Sequence, residues 1–182
     1  MYVSRRYILF SISVLILLGI GVGLLLFQLG HVKVQLSSPA TTPATTTSDS
    51  SAPAADGTYP KYDATLTRII DGDTIVISTG EHVRFVGMNA PEHDTQYGPG
   101  ATAHLHQLID GKSLQLQRDV SDKDKYGRIL RFVWVGSENV DLQMVKDGWA
   151  KQLLIEPDNE YADQIKTLQQ QAEAAHLGIW QQ

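Results

Sequence analysis

Two aspartates, Asp71 and Asp73, flank a glycine between runs of β-branched residues in the stretch "IIDGDTIVI". Shortly after, "VRFVGMNAPE" supplies Arg84, Asn89 and Glu92, and "DKDKYGR" ends on Arg128. Carboxylates joined by an amide and backbone carbonyls form the oxygen-only set that a hard cation such as Ca²⁺ takes. Two guanidinium groups can grip phosphate oxygens through forked, charge-assisted hydrogen bonds. A carboxylate left free beside the cation can take a proton from water. Gathered at one end of one fold, these parts make a phosphodiester hydrolase. Each fragment also has a plainer reading. Asp71-Gly72 is ordinary hairpin chemistry, Arg84 could pair with Glu92 at the surface, and "KYGR" is a common way into a strand. The ordered set with compatible spacing favours the chemical reading.

The elements that must position these residues are short. Strands are expected over Tyr62–Ile70, Thr74–Ser78, His82–Met88, Ser113–Asp119 and Arg128–Val135, bounded by turn pairs such as Asp71-Gly72, Thr79-Gly80 and Tyr126-Gly127. Within the third, Arg84 shares its alternation face with Val86 and Met88, so its charge needs a partner or a ligand. A first helix is marked by Pro99 at its start and Gly111 past its end, with Ala101, Leu105, Leu108 and Ile109 on one face. A second runs from about Val140 to Asp147 and stops at Gly148. A third carries the stripe Tyr161, Ile165, Leu168, Ala172 and Ala175 and ends at Gly178, with Ile179 and Trp180 folding back as an apolar plug. The fold class is therefore α+β: a small closed barrel with three α-helices around it. The five-stranded oligonucleotide-binding barrel, or OB-fold, fits the strand count. His104 and His106 lie two apart on the first helix, do not face one another, and with His93 suggest no transition-metal site.

Composition bounds the function. There is no cysteine, so no disulfide, zinc-thiolate site or thiol nucleophile is available. Of 15 basic and 20 acidic residues, three basic and two acidic precede Tyr59, which leaves 12 against 18 in the folded part. That is not the footprint of an avid nucleic-acid binder, so nucleic-acid chemistry must rest on a local cationic site or a metal.

The chain divides into residues 1–30, 31–58 and 59–182. Tyr7–Leu29 is uncharged and rich in Leu, Ile, Val and Gly, and as a helix it would span about 35 Å, enough for a bilayer core of about 30 Å. It is longer than the apolar region of a cleaved signal peptide and no A-x-A site follows it. It reads as a single-pass transmembrane anchor, with secretion after cleavage as the alternative. Arg5 and Arg6 keep the N-terminus cytoplasmic and put the remainder outside the cell. Residues 31–58, rich in Ser, Thr, Pro and Ala, form a disordered tether.

The segments "IIDGDTIVI", "VRFVGMNAPE", "YGPGATAHL", "DKYGRILRFVWV", "QMVKDGWAK" and "AHLGIW" occur in an order that resembles the staphylococcal nuclease (thermonuclease) family from Tyr62 to Trp180. The resemblance implies an OB-fold barrel with three helices, working as a monomeric catalytic domain. It implies a Ca²⁺-dependent endonuclease that cleaves DNA or RNA and leaves 3′-phosphate ends. Carried over by motif, Asp73 is a direct Ca²⁺ ligand, Asp71 acts near the metal through water, Asn89 is the second ligand and the Ala90 carbonyl a third. Glu92 is the general base or water-positioner, Arg84 and Arg128 bind the phosphate and stabilise its developing charge, and Lys125 and Tyr126 contact substrate. The chain departs from the best-known member in three places. Asn89 replaces an aspartate, the loop from Glu92 to Tyr97 lacks a lysine-rich insertion, and Leu153 and Ile155 replace tyrosines. The alternative functions are a catalytically weak nucleic-acid-binding module and a surface receptor for DNA uptake.

Overall fold

The computed structural model describes residues 52–181. The expected anchor and most of the tether lie outside the described residues. Residues 54–58, at the end of the expected tether, close a small turn in which the Ala54 N–H donates to the Thr58 carbonyl at 2.6 Å. Among the described residues no helix is long and apolar enough to cross a membrane.

The β-branched runs form strands β1 (Tyr62–Ala64), β2 (Leu66–Ile69), β3 (Thr74–Ile77), β4 (His82–Phe85), β5 (Met88–Asn89), β6 (Leu114–Gln117), β7 (Ile129–Val135), β8 (Glu138–Asn139) and β9 (Lys151–Gln152). The main sheet runs β1-β6-β7-β4-β3-β2, with β8 paired to β7. Its two outer members, β1 and β2, are halves of one segment that breaks at Thr65. One half bonds β6, with Tyr62 opposite Leu116, and the other bonds β3, with Ile69 opposite Ile75. The sheet therefore closes on itself as a five-stranded, OB-like barrel, which leaves no long free edge. The strands β4 and β7 run parallel.

The expected strand over His82–Met88 is divided in the structure. Gly87, at φ +74°, turns the chain out of β4. The residues β5 contributes then pair with β9 in a separate two-stranded ladder, Met88 opposite Gln152 and Asn89 opposite Lys151.

Three helices cover the barrel: α1 (Gly98–Ile109), α2 (Val140–Lys146) and α3 (Ala162–Ala174). The α1 face is Ala101, Leu105 and Ile109, all at 0% exposure, as the i, i+4, i+8 spacing requires. Asn139 caps α2 by accepting the Leu142 N–H at 3.0 Å. The third helix ends at Ala174, earlier than expected. His176 takes the left-handed conformation at φ 51°, and Gly178 instead opens a short 3₁₀ turn over Gly178–Trp180. The Ile179 N–H in that turn donates to the Gly148 carbonyl at 2.8 Å.

The α2 N-terminus also buries Asp141 completely. Its carboxyl group accepts the Val86 N–H at 3.1 Å and the Val133 N–H at 2.8 Å, joining the helix to the end of β4 and the middle of β7. Burial pushes this carboxyl up to about 8, against the pull of the two amides and of Arg84. Because the folded pKa lies above the unfolded value, the group's stabilising contribution is full below about pH 4 and disappears as pH rises through about 8. In chelator, unfolding free energy should therefore decline between pH 4 and 8, with Asp141 contributing at most about 1.4 kcal/mol per pH unit. Asp141→Asn should lower stability at pH 5 and remove this group's slope. Urea unfolding across the pH series checks both, and an unchanged slope in the variant would refute the assignment.

Candidate active site

The β2–β3 turn places both aspartates. The Asp71 carboxylate accepts the Asp73 N–H at 3.0 Å, a local bond that shapes the turn. Gly72 is required by space: a Cβ there would stand 2.6 Å from the Ala90 Cβ and 2.9 Å from the Ala101 Cβ. The glycine lets the acidic turn lie directly on α1 and the segment after β5.

Asp73 is 6% exposed and Arg84 7%. Asp73 Oδ2 accepts the Ala90 N–H at 2.8 Å and lies 3.1 Å from Arg84 Nη2, while Oδ1 accepts the Thr74 hydroxyl at 3.0 Å. Arg84 Nη1 donates to the Phe85 and Met88 carbonyls at 2.7 and 3.0 Å, and Nη2 to Asn89 Oδ1 at 2.8 Å. The partner that the strand alternation demanded is thus Asp73 together with Asn89, and not Glu92. Burial drives the Asp73 carboxyl up to about 6; Arg84 pulls it down and Asp71 pushes it further up.

The residues singled out from the sequence converge. Asp71, Asp73, Arg84, Asn89, Glu92, Lys125, Tyr126 and Arg128 all line one open cleft of about 480 Å³. Ala90 does not line it; its buried carbonyl accepts the Asn89 Nδ2 at 3.1 Å. Glu92 is exposed at the rim. Arg128 enters from the facing wall. Tyr126 is 72% exposed beside it, with the Lys125 ammonium 5.0 Å and the Arg128 guanidinium 5.6 Å from its ring centre. Leu153 and Ile155, both exposed, complete the wall that follows β9.

Sequence reasoning missed Asp124. Its Oδ2 accepts Arg128 Nε at 2.6 Å, and its Oδ1 accepts the backbone N–H groups of Tyr126 and Arg128 at 2.9 and 3.0 Å. Burial raises this carboxyl, but the Arg128 and Tyr126 bonds outweigh it and hold it below the usual range. The i to i+4 spacing of Asp124 and Arg128 was the available signal. His104 links α1 to the end of α2, its Nε2 meeting Asp147 Oδ2 at 2.8 Å, while His106 Nδ1 meets Asp110 Oδ2 at 2.7 Å within the last turn of α1.

The cation test concerns donors. Among the described residues no cluster of three His, Cys, Asp or Glu side chains could hold a metal. Two carboxylates and an amide oxygen are present instead. Asp73 Oδ2 and Asn89 Oδ1 lie 3.1 and 2.8 Å from one nitrogen, Arg84 Nη2, which places the two oxygens side by side. Asp71 adds its charge from the adjoining turn. An oxygen-only set of this kind, around a carboxylate destabilised by burial, fits a hard cation.

Comparison with known proteins covers much of this cleft. The profile described as "Staphylococcal nuclease homologue" matches residues 82–182, which hold Arg84, Asn89, Glu92 and Arg128. The thermonuclease of Staphylococcus intermedius is 33% identical over 123 residues, 63% of this chain and 73% of that protein. The thermonuclease of Staphylococcus hyicus is 30% identical over 122 residues, covering 62% and 72%. Endonuclease YncB of Bacillus subtilis (strain 168) is 37% identical over 127 residues, covering 64% of this chain and 60% of its own length. With the closed barrel, its three helices and the matched cleft residues, the chain belongs to the staphylococcal nuclease family.

Proposed function

We propose that this chain is a Ca²⁺-dependent endonuclease that hydrolyses phosphodiester bonds of DNA or RNA to 3′-phosphate ends. The observation that carries the reading is the cleft in which a buried Asp73–Arg84 pair, Asn89, a rim carboxylate and a second arginine face one volume. The relatives are named thermonucleases and an endonuclease, which supports the same reading.

Glu92 makes no hydrogen bond through its carboxylate among the described residues, so it is free to take a proton from water as the water oxygen forms its bond to phosphorus. The P–O5′ bond then breaks, the 5′-oxygen leaves with a proton from solvent, and the phosphate stays on the 3′ side. Arg128 donates to a non-bridging oxygen while Asp124 holds its Nε. Arg84 sets its positive charge beside the phosphate and stabilises the charge developing on it. Held by Asp73 and Asn89, with Asp71 nearby through water, Ca²⁺ would act as a Lewis acid on the phosphate. Tyr126 and Lys125 receive the flanking nucleotide.

We assign the chain to the cell membrane through residues 7–29, with the nuclease domain outside and monomeric.

Three measurements test these statements. Glu92→Gln and Arg128→Ala should each lower kcat about 100-fold or more, the usual loss for one preorganised group at a developing charge. Near-normal turnover on single- and double-stranded DNA and on RNA in both variants would remove the assigned site. Half-maximal activity should need Ca²⁺ in the range of about 0.1–1 mM typical of extracellular modules, because Asn89 supplies no charge. Asn89→Asp should reduce that concentration about threefold to tenfold in a titration at fixed ionic strength; an unchanged or higher value would remove Asn89 from the ligand set. Protease added to intact cells should release active domain by cutting within residues 31–58, since an extended polar tether is readily cleaved. A domain reached only after lysis would reverse the orientation.

A further inference from the structure

Arg131 lies in the middle of β7 on the pleat face of Ile129 and Val133, which belong to the apolar core. It is 2% exposed, a costly position for a cation that an aliphatic side chain would fill without charge. Three of its bonds reach the Asp122–Leu130 segment. Nη1 donates to the Asp122 carbonyl at 3.1 Å and the Leu130 carbonyl at 2.7 Å, and Nη2 to Asp122 Oδ1 at 2.7 Å. Nε donates to the Tyr62 hydroxyl on β1 at 2.9 Å. The Asp122 carbonyl also accepts the Leu130 N–H at 2.9 Å, Lys123 bridges to Ile129, and the Asp124 N–H donates to the Arg128 carbonyl at 3.0 Å. Asp122 to Leu130 is therefore a hairpin whose tip carries Lys125, Tyr126 and Arg128 into the cleft. Bonds within the tip, such as Asp124 to Arg128, shape it but do not fix it to the barrel. That task falls at the base, to Arg131 on Asp122 and to Asp158, which accepts the Ser121 N–H at 2.7 Å.

We propose that Arg131 is a positioning residue for the cleft: its buried guanidinium clamps the base of the Asp122–Leu130 hairpin and so sets where Arg128 meets the substrate phosphate. The proposal rests on the nuclease reading of the same cleft. Arg131 touches neither substrate nor metal and acts through the hairpin.

The test uses the full chain with Arg131→Met, which keeps the unbranched apolar stem and removes every side-chain donor, and Asp122→Asn, which weakens the same clamp from its half-exposed side and buries no new group. Amide hydrogen exchange of the Asp124, Gly127 and Leu130 N–H groups should accelerate about tenfold or more, while β3 and β4 amides keep their rates. In DNA hydrolysis kcat should fall about tenfold with KM changed less than about twofold. On an Arg128→Ala background the Arg131 and Asp122 substitutions should cost almost nothing further, because coupled residues are not additive. Unchanged hairpin exchange in a folded variant overturns the proposal, as does a kcat loss that multiplies independently with that of Arg128→Ala. If Arg131→Met does not fold, Asp122→Asn decides by the same readings. A wild-type chain without nuclease activity would overturn the proposed function, and hydrogen exchange would still decide whether Arg131 is the clamp.

Discussion

A guanidinium taken out of water must find acceptors for its donors, and at Arg84 that requirement organises the cleft. Asp73, Asn89 and the carbonyls of Phe85 and Met88 are drawn around it. To satisfy it, the β2–β3 turn must press against the segment after β5, and Gly72 provides the clearance for that approach. β4 must end before Met88 so that the chain can curl and present its carbonyls, and Gly87 makes that bend. The charge arrangement is a compromise between two incompatible demands. One arginine cannot fully compensate two neighbouring carboxylates; the buried Asp73 is raised first by desolvation and further by Asp71, against the pull of Arg84. That surplus of negative charge is what a divalent cation could neutralise.

Much of this was legible in the sequence because it depends on alternation and on turn chemistry. The misplaced charge on the β4 face pointed to Arg84, and glycines located the bends. The same alternation applied to "ILRFVWV" sets Arg131 beside Ile129 and Val133, so its burial was readable by the argument used for Arg84. The β5–β9 ladder was not readable. Two-residue strands carry no period, and their pairing is decided by a register between segments far apart in sequence. Asp124 was masked for another reason: in "DKDKYGR" an aspartate already satisfies the needs of a turn, and its i to i+4 spacing to Arg128 was the one sign of the grip on that side chain. The end of the third helix shifted because Gly178 is used for the 3₁₀ turn against α2, leaving His176 to take the left-handed position.

The two walls of the cleft are built on different logic. The wall of Asp71, Asp73, Arg84 and Asn89 is a polar network centred on the buried Asp73–Arg84 pair, each of whose members has several partners. Such networks tolerate little adjustment, because losing one member leaves others unsatisfied. The opposite wall consists of exposed Tyr126, Leu153 and Ile155 with the half-exposed Arg128. It presents apolar surface and two cations, Lys125 and Arg128, to the cleft.

The bend at Thr65 also orders the assembly of the molecule in time. β2, β3 and β4 are joined by short turns, so this meander, with both aspartates and Arg84, can form from local contacts alone. The seam between β1 and β6 joins Tyr62 to Leu116 across α1, and the parallel pairing of β4 with β7 joins Val83 to Ile129. Those closures each pay the entropy of a long loop before any contact rewards it. The acidic turn and Arg84 thus sit on the part of the sheet whose pairing closes the shortest loops, and the barrel that encloses them on the part that closes the longest.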